Sequence, residues 1–166
     1  MKIALLIAAL CWTFALNAQT VYDSKQYGHL EFVELDHGVA EVSAGTIKKM
    51  KESPTGVHGW LKDFEIVKVT DTVRTIAKTN FGTVYMVKAD RNRDLDISIE
   101  WVYPTEITND KGEHFKSIRY TNKRPSNTAC ASSYSLDEPY EMVNGNWTMN
   151  IYIEKQKVYT RTFYLY

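Results

Sequence analysis

The sequence predicts an all-β antiparallel β-sandwich, and three features of the chain carry that reading. Trp147, Met149, Ile151 and Ile153 alternate with Thr148, Asn150, Tyr152 and Glu154. This is the two-residue period of a strand with one apolar face. Leu95, Ile97, Ile99, Trp101 and Tyr103 alternate in the same way with Asp96, Ser98, Glu100 and Val102. Beyond residue 18, no stretch sustains the 3.6-residue period of an amphipathic helix. About eight short β-type runs separated by turn residues then describe a sandwich. The tyrosine-rich aromatic content of 13% suits pleated surfaces.

Taken in order, residues 1–18 read as a secretory signal peptide: Met1-Lys2, an apolar core, then Ala18 before polar Gln19. The apolar run is short for a membrane span of about 20 residues. Leu10 before Cys11 argues against a lipoprotein signal. Residues 19–27 form a short polar lead, and 28–166 a single domain. Strands are expected at 30–35 and 38–42, around a turn at Asp36-His37-Gly38, and then at 64–69 and 81–88. Residues 46–52, bracketed by Gly45 and Pro54, have room for a helical turn or two. The 95–103 strand is expected to stop at Pro104, which has no N–H for a ladder. Asn109-Asp110-Lys111-Gly112 reads as a hairpin loop, and 114–120 as its returning strand. Residues 121–138 show no strand signal and read as a long loop, functional or an ordinary crossover. Asn144-Gly145 reads as a tight turn before the 147–154 strand. In the last run, Phe163 and Leu165 share one parity and Val158 has the other. That requires a bulge, or coverage on both faces.

Charge and cysteine content exclude several function classes. Twenty basic residues balance 20 acidic ones. Lys2 is the one charge in 1–18, so the exported form has a net charge of about −1. There is no electrostatic case for nucleic acid or an anionic membrane. Lys116, Arg119, Lys123 and Arg124 read as a solvated strand end and loop. With Cys11 in the signal, Cys130 is left alone, so no intrachain disulfide can form and packing must hold the fold.

Candidate chemistry is sparse. Glu138 and Glu141 could act as an acid–base pair, but turn chemistry beside Pro139 accounts for them, with no histidine or ligand spacing nearby. Cys130 could pair with His29, His37, His58 or His114 as a thiol nucleophile and base. No sequence signature surrounds it. The histidine spacings match no metal site, and neither metal nor cofactor is expected. Trp101 and Trp147 read as core anchors. Asn146-Trp147-Thr148 is formally a glycosylation sequon, read as coincidence at the start of a core strand. Tyr152, Tyr159 and Tyr164, with Tyr166 beyond, crowd the last strands. They pair across the sheet, or form an exposed strip that meets a sugar or a protein.

Asp137-Glu138-Pro139-Tyr140-Glu141-Met142-Val143, followed by Gly145 and Trp147-Thr148, resembles the closing region of the bacterial DUF3859 family. Phe81-Gly82 opening a strand, Trp101 with Pro104 closing one, and Phe163 near the end are further matches. The likeness covers roughly residues 28–166; Thr75-Ile76-Ala77 departs from it in lacking a proline. It implies an immunoglobulin-like antiparallel β-sandwich in a bacterium. It gives no catalytic or binding residues, and Phe81, Gly82, Trp101, Pro104, Pro139, Tyr140, Glu141, Gly145, Trp147 and Phe163 are expected to serve structure. The functional expectation is an exported, non-catalytic module that binds an envelope protein or acts as a structural adaptor of the envelope. The alternatives are a carbohydrate-binding module using the surface tyrosines, and a thiol enzyme built on Cys130 and the 121–138 loop.

Overall fold

The computed structural model describes residues 20–24 and 26–166; the expected signal peptide lies outside them. Among the described residues there are ten strands and no α-helix. They are β1 (Thr20–Ser24), β2 (Gly28–Lys49), β3 (Val57–Val69), β4 (Thr72–Val73), β5 (Asn80–Ala89), β6 (Asp94–Thr108), β7 (His114–Pro125), β8 (Cys130–Ser135), β9 (Gly145–Ile153) and β10 (Gln156–Leu165). A single 3₁₀ turn occupies Pro139–Glu141.

The strands form two facing sheets. One has the order β1-β2-β5-β8, with β3 also paired to β2; the other runs β4-β10-β9-β6-β7. Every pairing is antiparallel except the short β4–β10 contact. The alternating strands behave as their pattern dictates. Trp147, Met149 and Ile151 are fully buried, as are Leu95, Ile97, Ile99 and Trp101 to within 1%. Phe81 on β5 meets Trp101, Trp147 and Phe163 of the opposite sheet at ring distances of 5.4, 5.9 and 5.2 Å. The parity conflict in the last strand resolves as a bulge between Lys157 and Tyr159, which keeps both Val158 and Phe163 buried.

Several expected boundaries move, each for a local reason. Asp36-His37-Gly38 is not a turn. The chain runs straight through as one 22-residue strand, with a bulge between Glu34 and Asp36 that absorbs the turn-forming residues. Gly38 sits at φ 144° where a Cβ would overlap the Lys68 carbonyl of β3, so glycine serves close strand approach here. Residues 46–49 continue β2, and the reversal expected as helix is a tight turn closed by Met50 N–H to the Gly56 carbonyl. Pro104 does not stop β6. The ladder to β7 skips from Val102 to Ile107 and pairing to β9 ends at Val102, so the missing N–H falls where no partner needs it. Asn144-Gly145 is not a hairpin turn; Gly145 opens β9 at φ 125°, packed against Pro104. The β9–β10 reversal instead uses Glu154 and Lys155, both at positive φ. Thr20–Ser24, within the stretch read as a polar lead, pairs with β2 as β1.

The largest revision concerns 121–138. Thr121 to Pro125 belongs to β7, Cys130–Ser135 is β8, and the Pro139–Glu141 turn follows. Strand β8 is half serine and has no β-branched residue, so it lacks the usual strand signature. It pairs with β5 because Gly82 lets the backbones close: a Cβ there would sit 2.2 Å from the Ser132 carbonyl oxygen. Gly82→Ala therefore lowers the unfolding free energy by about 1–3 kcal/mol. Gly59→Ala, which faces open space, leaves it nearly unchanged. Urea titrations of the two variants distinguish them.

Candidate functional site

Past Ala40, β2 leaves β5 behind and continues only with β3, so residues 41–49 and 57–64 form a long two-stranded hairpin. Its tip is fastened to the body of the fold. The Pro54 carbonyl accepts hydrogen bonds from Asn109 Nδ2 at 3.1 Å and from the Tyr140 hydroxyl at 3.2 Å. Ser53 and Pro54 are buried there. Between β3 on one side and β8 with the inner face of β7 on the other lies a cleft of about 480 Å³. Residues 57–64 of β3 and residues 129–135 around β8 line it without interruption. Among the described residues β8 is the terminal strand of its sheet and pairs with β5 alone, which leaves its second backbone edge on the side of the cleft.

The side chains along this cleft are aromatic and rich in donors. Trp60 lies between two cations, with Lys48 Nζ 5.2 Å and the Arg124 guanidinium 5.3 Å from its ring. His58 packs on Tyr120 at 4.2 Å. Burial first, and then the Arg124 charge, lowers the His58 pKa. Burial raises the Cys130 thiol, with Arg124 opposing it in part. The Cys130 sulfur approaches the Thr128 carbonyl at 3.6 Å and no hydrogen bond joins it to a histidine.

Glu141 is buried at the cleft's end. Its Oε1 accepts from the Tyr134 hydroxyl at 2.6 Å, and its Oε2 from the backbone N–H groups of Asp137 and Glu138, each at 3.0 Å. Burial raises its pKa, and those three donors oppose the rise. Both oxygens are thus engaged, Oε1 by Tyr134 of β8 and Oε2 by the backbone that enters the 3₁₀ turn. Glu138 is exposed, so the two carboxylates sit in different environments.

The family-signature residues gather into one structural unit. Phe81, Trp101, Trp147 and Phe163 surround Tyr134 or one another in a single aromatic cluster. Gly82 seats β8, Pro104 packs on Gly145, and Pro139, Tyr140 and Glu141 make the turn beneath it. Trp147 Nε1 donates to the Val143 carbonyl at 2.8 Å. The tyrosines, by contrast, do not make one strip. Tyr159 turns into the sandwich, tilted against Phe32 at a ring distance of 4.8 Å and accepting a hydrogen bond from Arg161, and burial pushes its pKa up to about 12. Tyr152 points outward but donates to Glu100 at 2.7 Å beneath the Arg119 guanidinium. Tyr164 is exposed beside Asn146, towards the other end of β9.

The four cations read as a solvated strand end and loop also divide. Lys116, Arg119 and Lys123 are exposed, whereas Arg124 shares the parity of Ile118 and Tyr120 and turns into the cleft. That parity was the available signal. Among the described residues no cluster of histidine, cysteine and carboxylate groups could hold a metal ion, and no helix is long and apolar enough to cross a membrane.

A family model described as "Domain of unknown function (DUF3859)" matches residues 22–165. The chain belongs to the DUF3859 family. No curated protein matches it in sequence. Among solved structures, this DUF3859 domain is similar to an immunoglobulin-like protein from Pseudomonas aeruginosa, with a TM-score of 0.58 at 15% identity. The match covers 92% of this chain and 100% of that one. At that identity the likeness establishes an immunoglobulin-like fold. An alkylpurine DNA glycosylase from Pseudomonas fluorescens bound to DNA aligns at 8% identity and a TM-score of 0.38, covering 57% of this chain and 27% of that one. That alignment carries no argument. The DUF3859 fold thus leaves function to be read from the cleft itself.

Two outcomes follow. Glu141→Ala strands two backbone donors and leaves the buried Tyr134 hydroxyl with the Tyr103 hydroxyl at 3.3 Å, and lowers stability by about 2–3 kcal/mol by denaturant titration. His58 is held neutral more firmly in the folded chain than in the unfolded one. Its contribution is present above the ordinary value of 6.5 and is lost as pH falls through the lower folded value. His58→Gln therefore flattens the decline of the urea midpoint between about pH 7 and about pH 5.

Proposed function

We propose that this DUF3859 domain is an exported, non-catalytic protein-binding module of the bacterial envelope, and that the cleft between β3 and β8 receives an extended segment of its partner. The observation that carries this reading is the outer backbone edge of β8, which has no partner strand among the described residues and faces the cleft. A strand edge offers a row of N–H and C=O groups that an added strand satisfies. The volume lies within the range of about 300–1,000 Å³ typical of ligand sites. The hairpin pinned at Pro54 covers the edge from solvent, which guards it against self-association while leaving room for one segment. The signal-peptide pattern of residues 1–18 supports export. Cys130 without a histidine and Glu141 with both oxygens engaged support a binding role over catalysis. The separation of Tyr152, Tyr159 and Tyr164 removes the flat aromatic platform that sugar binding by those residues requires.

A photo-cross-linker on Cys130 tests the reading, with Cys11→Ser throughout. The control carries the same group on Thr160→Cys, on the outer face of β10, in a Cys130→Ala background. Irradiation in a bacterial envelope fraction is expected to give a protease-sensitive adduct from position 130 and none from 160. A protease-resistant glycan adduct at 130, or no adduct specific to 130, overturns it.

A further inference from the structure

We propose that the cleft recognises a carboxylate, with Arg124 as the anion-binding side chain and the indole N–H groups of Trp60 and Trp101 as flanking donors. The inference rests on the peptide-binding reading above and names the chemistry that the bound segment must present. Three buried N–H groups that line this one cleft lack a hydrogen-bond partner: Trp60 Nε1, Trp101 Nε1 and Arg124 Nε. Buried donors are almost always satisfied, and each one left unpaired is costly. Trp101 is only 1% exposed, so bulk water does not serve it. The Tyr120 hydroxyl lies near enough to Trp101 to offset a little of the burial that raises the phenol's pKa, yet no aligned hydrogen bond joins them. Arg124 likewise lies within reach of the Tyr85 hydroxyl, so the described residues bring acceptors near two of the three donors but align none with them, and an added acceptor would complete the set.

The charge distribution says which acceptor. Arg124 is half-buried and makes no ion pair among the described residues, whereas Arg161 is held by Glu34 and Asp71. Its charge reaches His58, Tyr85, Tyr120 and Cys130, and it is the positive centre of the cleft. The carboxylate nearest the floor, Glu141, spends both oxygens on Tyr134 and the backbone of the 3₁₀ turn. Asp63 and Asp137 are exposed at the rim, and Asp137 is paired with Lys78. Lys62 at the rim and Lys48, whose Nζ lies 5.2 Å from the Trp60 ring, are likewise exposed and solvated, so Arg124 is the one partly buried cation of the cleft among the described residues. One guanidinium with neutral indole donors matches a planar monoanion, which takes two parallel bonds from an arginine fork. A phosphoryl dianion calls for more positive charge than this cleft holds. A carboxylate can come from the C-terminus of a polypeptide or from an acidic side chain. The free β8 edge beside Arg124 suits either on an extended segment.

The test follows the indole and arginine side-chain N–H signals of the ¹⁵N-labelled protein while acetate, and separately inorganic phosphate, is added at constant ionic strength and pH. Acetate is expected to shift Trp60, Trp101 and Arg124 saturably and to leave Trp147, already bonded to Val143, in place. Arg124→Gln weakens the response at least tenfold. Arg124→Lys keeps the charge without the fork and falls between. An unmoved Trp147 signal in each variant reports that the fold is intact. No saturable shift, an unchanged response in Arg124→Gln, or tighter binding of phosphate than acetate overturns the proposal. Tripeptides with free C-termini, Asp-containing tripeptides with amidated C-termini, and neutral amidated tripeptides separate the two sources. Equal binding of all three overturns carboxylate recognition while leaving the peptide-binding reading standing. A response to acetate with no response to any peptide does the reverse.

Discussion

Phe81 is the point on which the two sheets close. Its ring sits among Trp101, Trp147, Phe163 and Tyr134, so one side chain of β5 touches three strands of the opposite sheet and the neighbouring strand of its own. Aromatic clusters of this kind bury large areas and favour edge-to-face contacts. Glycine must follow Phe81. With no side chain at position 82, β8 moves in against β5, and Tyr134 then reaches the cluster from the sheet's edge. Glu141 accepts the Tyr134 hydroxyl and caps the turn that leads into β9. The core, the edge strand and the turn before Trp147 are therefore one coupled arrangement rather than three features.

The cleft follows from that arrangement. Because β8 ends its sheet, the sandwich has an open side there, and a long hairpin of β2 and β3 crosses it without pairing to it. Asn109 and Tyr140 both donate to Pro54 and hold the hairpin tip down at the far end. A covered edge of this sort is protected from indiscriminate strand pairing, and it encloses the donors of Trp60, Trp101 and Arg124. Burial and polarity conflict there, and such conflicts are expected at functional sites, which is why the proposed binding site is placed in this cleft.

Much of this was legible in the sequence. The alternation through 95–103 and 147–154 gives two central strands and the buried tryptophans, and the parity change near Val158 announces a bulge. The DUF3859 likeness is carried by residues that fold into the aromatic cluster and the turn beneath it. What the sequence hid was hidden for physical reasons. β8 is built from one Cys, one Ala, three Ser and one Tyr, and its strand character comes from Gly82 on a different strand rather than from local propensity. Pro104 looked like a stop because the gap in the ladder around it is a property of register. Arg124 looked solvated beside Lys116, Arg119 and Lys123, although its parity with Ile118 placed it inward. Which strand forms the edge depends on pairing across distant segments, and no local pattern encodes it.

Residue-resolved amide hydrogen exchange tests the central claim most directly, that β3 and β8 face each other unpaired across an open cleft. The account predicts alternating protection along Cys130–Ser135, slow at amides bonded to β5 and fast at those facing the cleft, with the same alternation along residues 57–64 against β2. Uniform slow exchange along both strands would mean that the hairpin is zipped onto β8. That result would contradict the cleft and everything inferred from it.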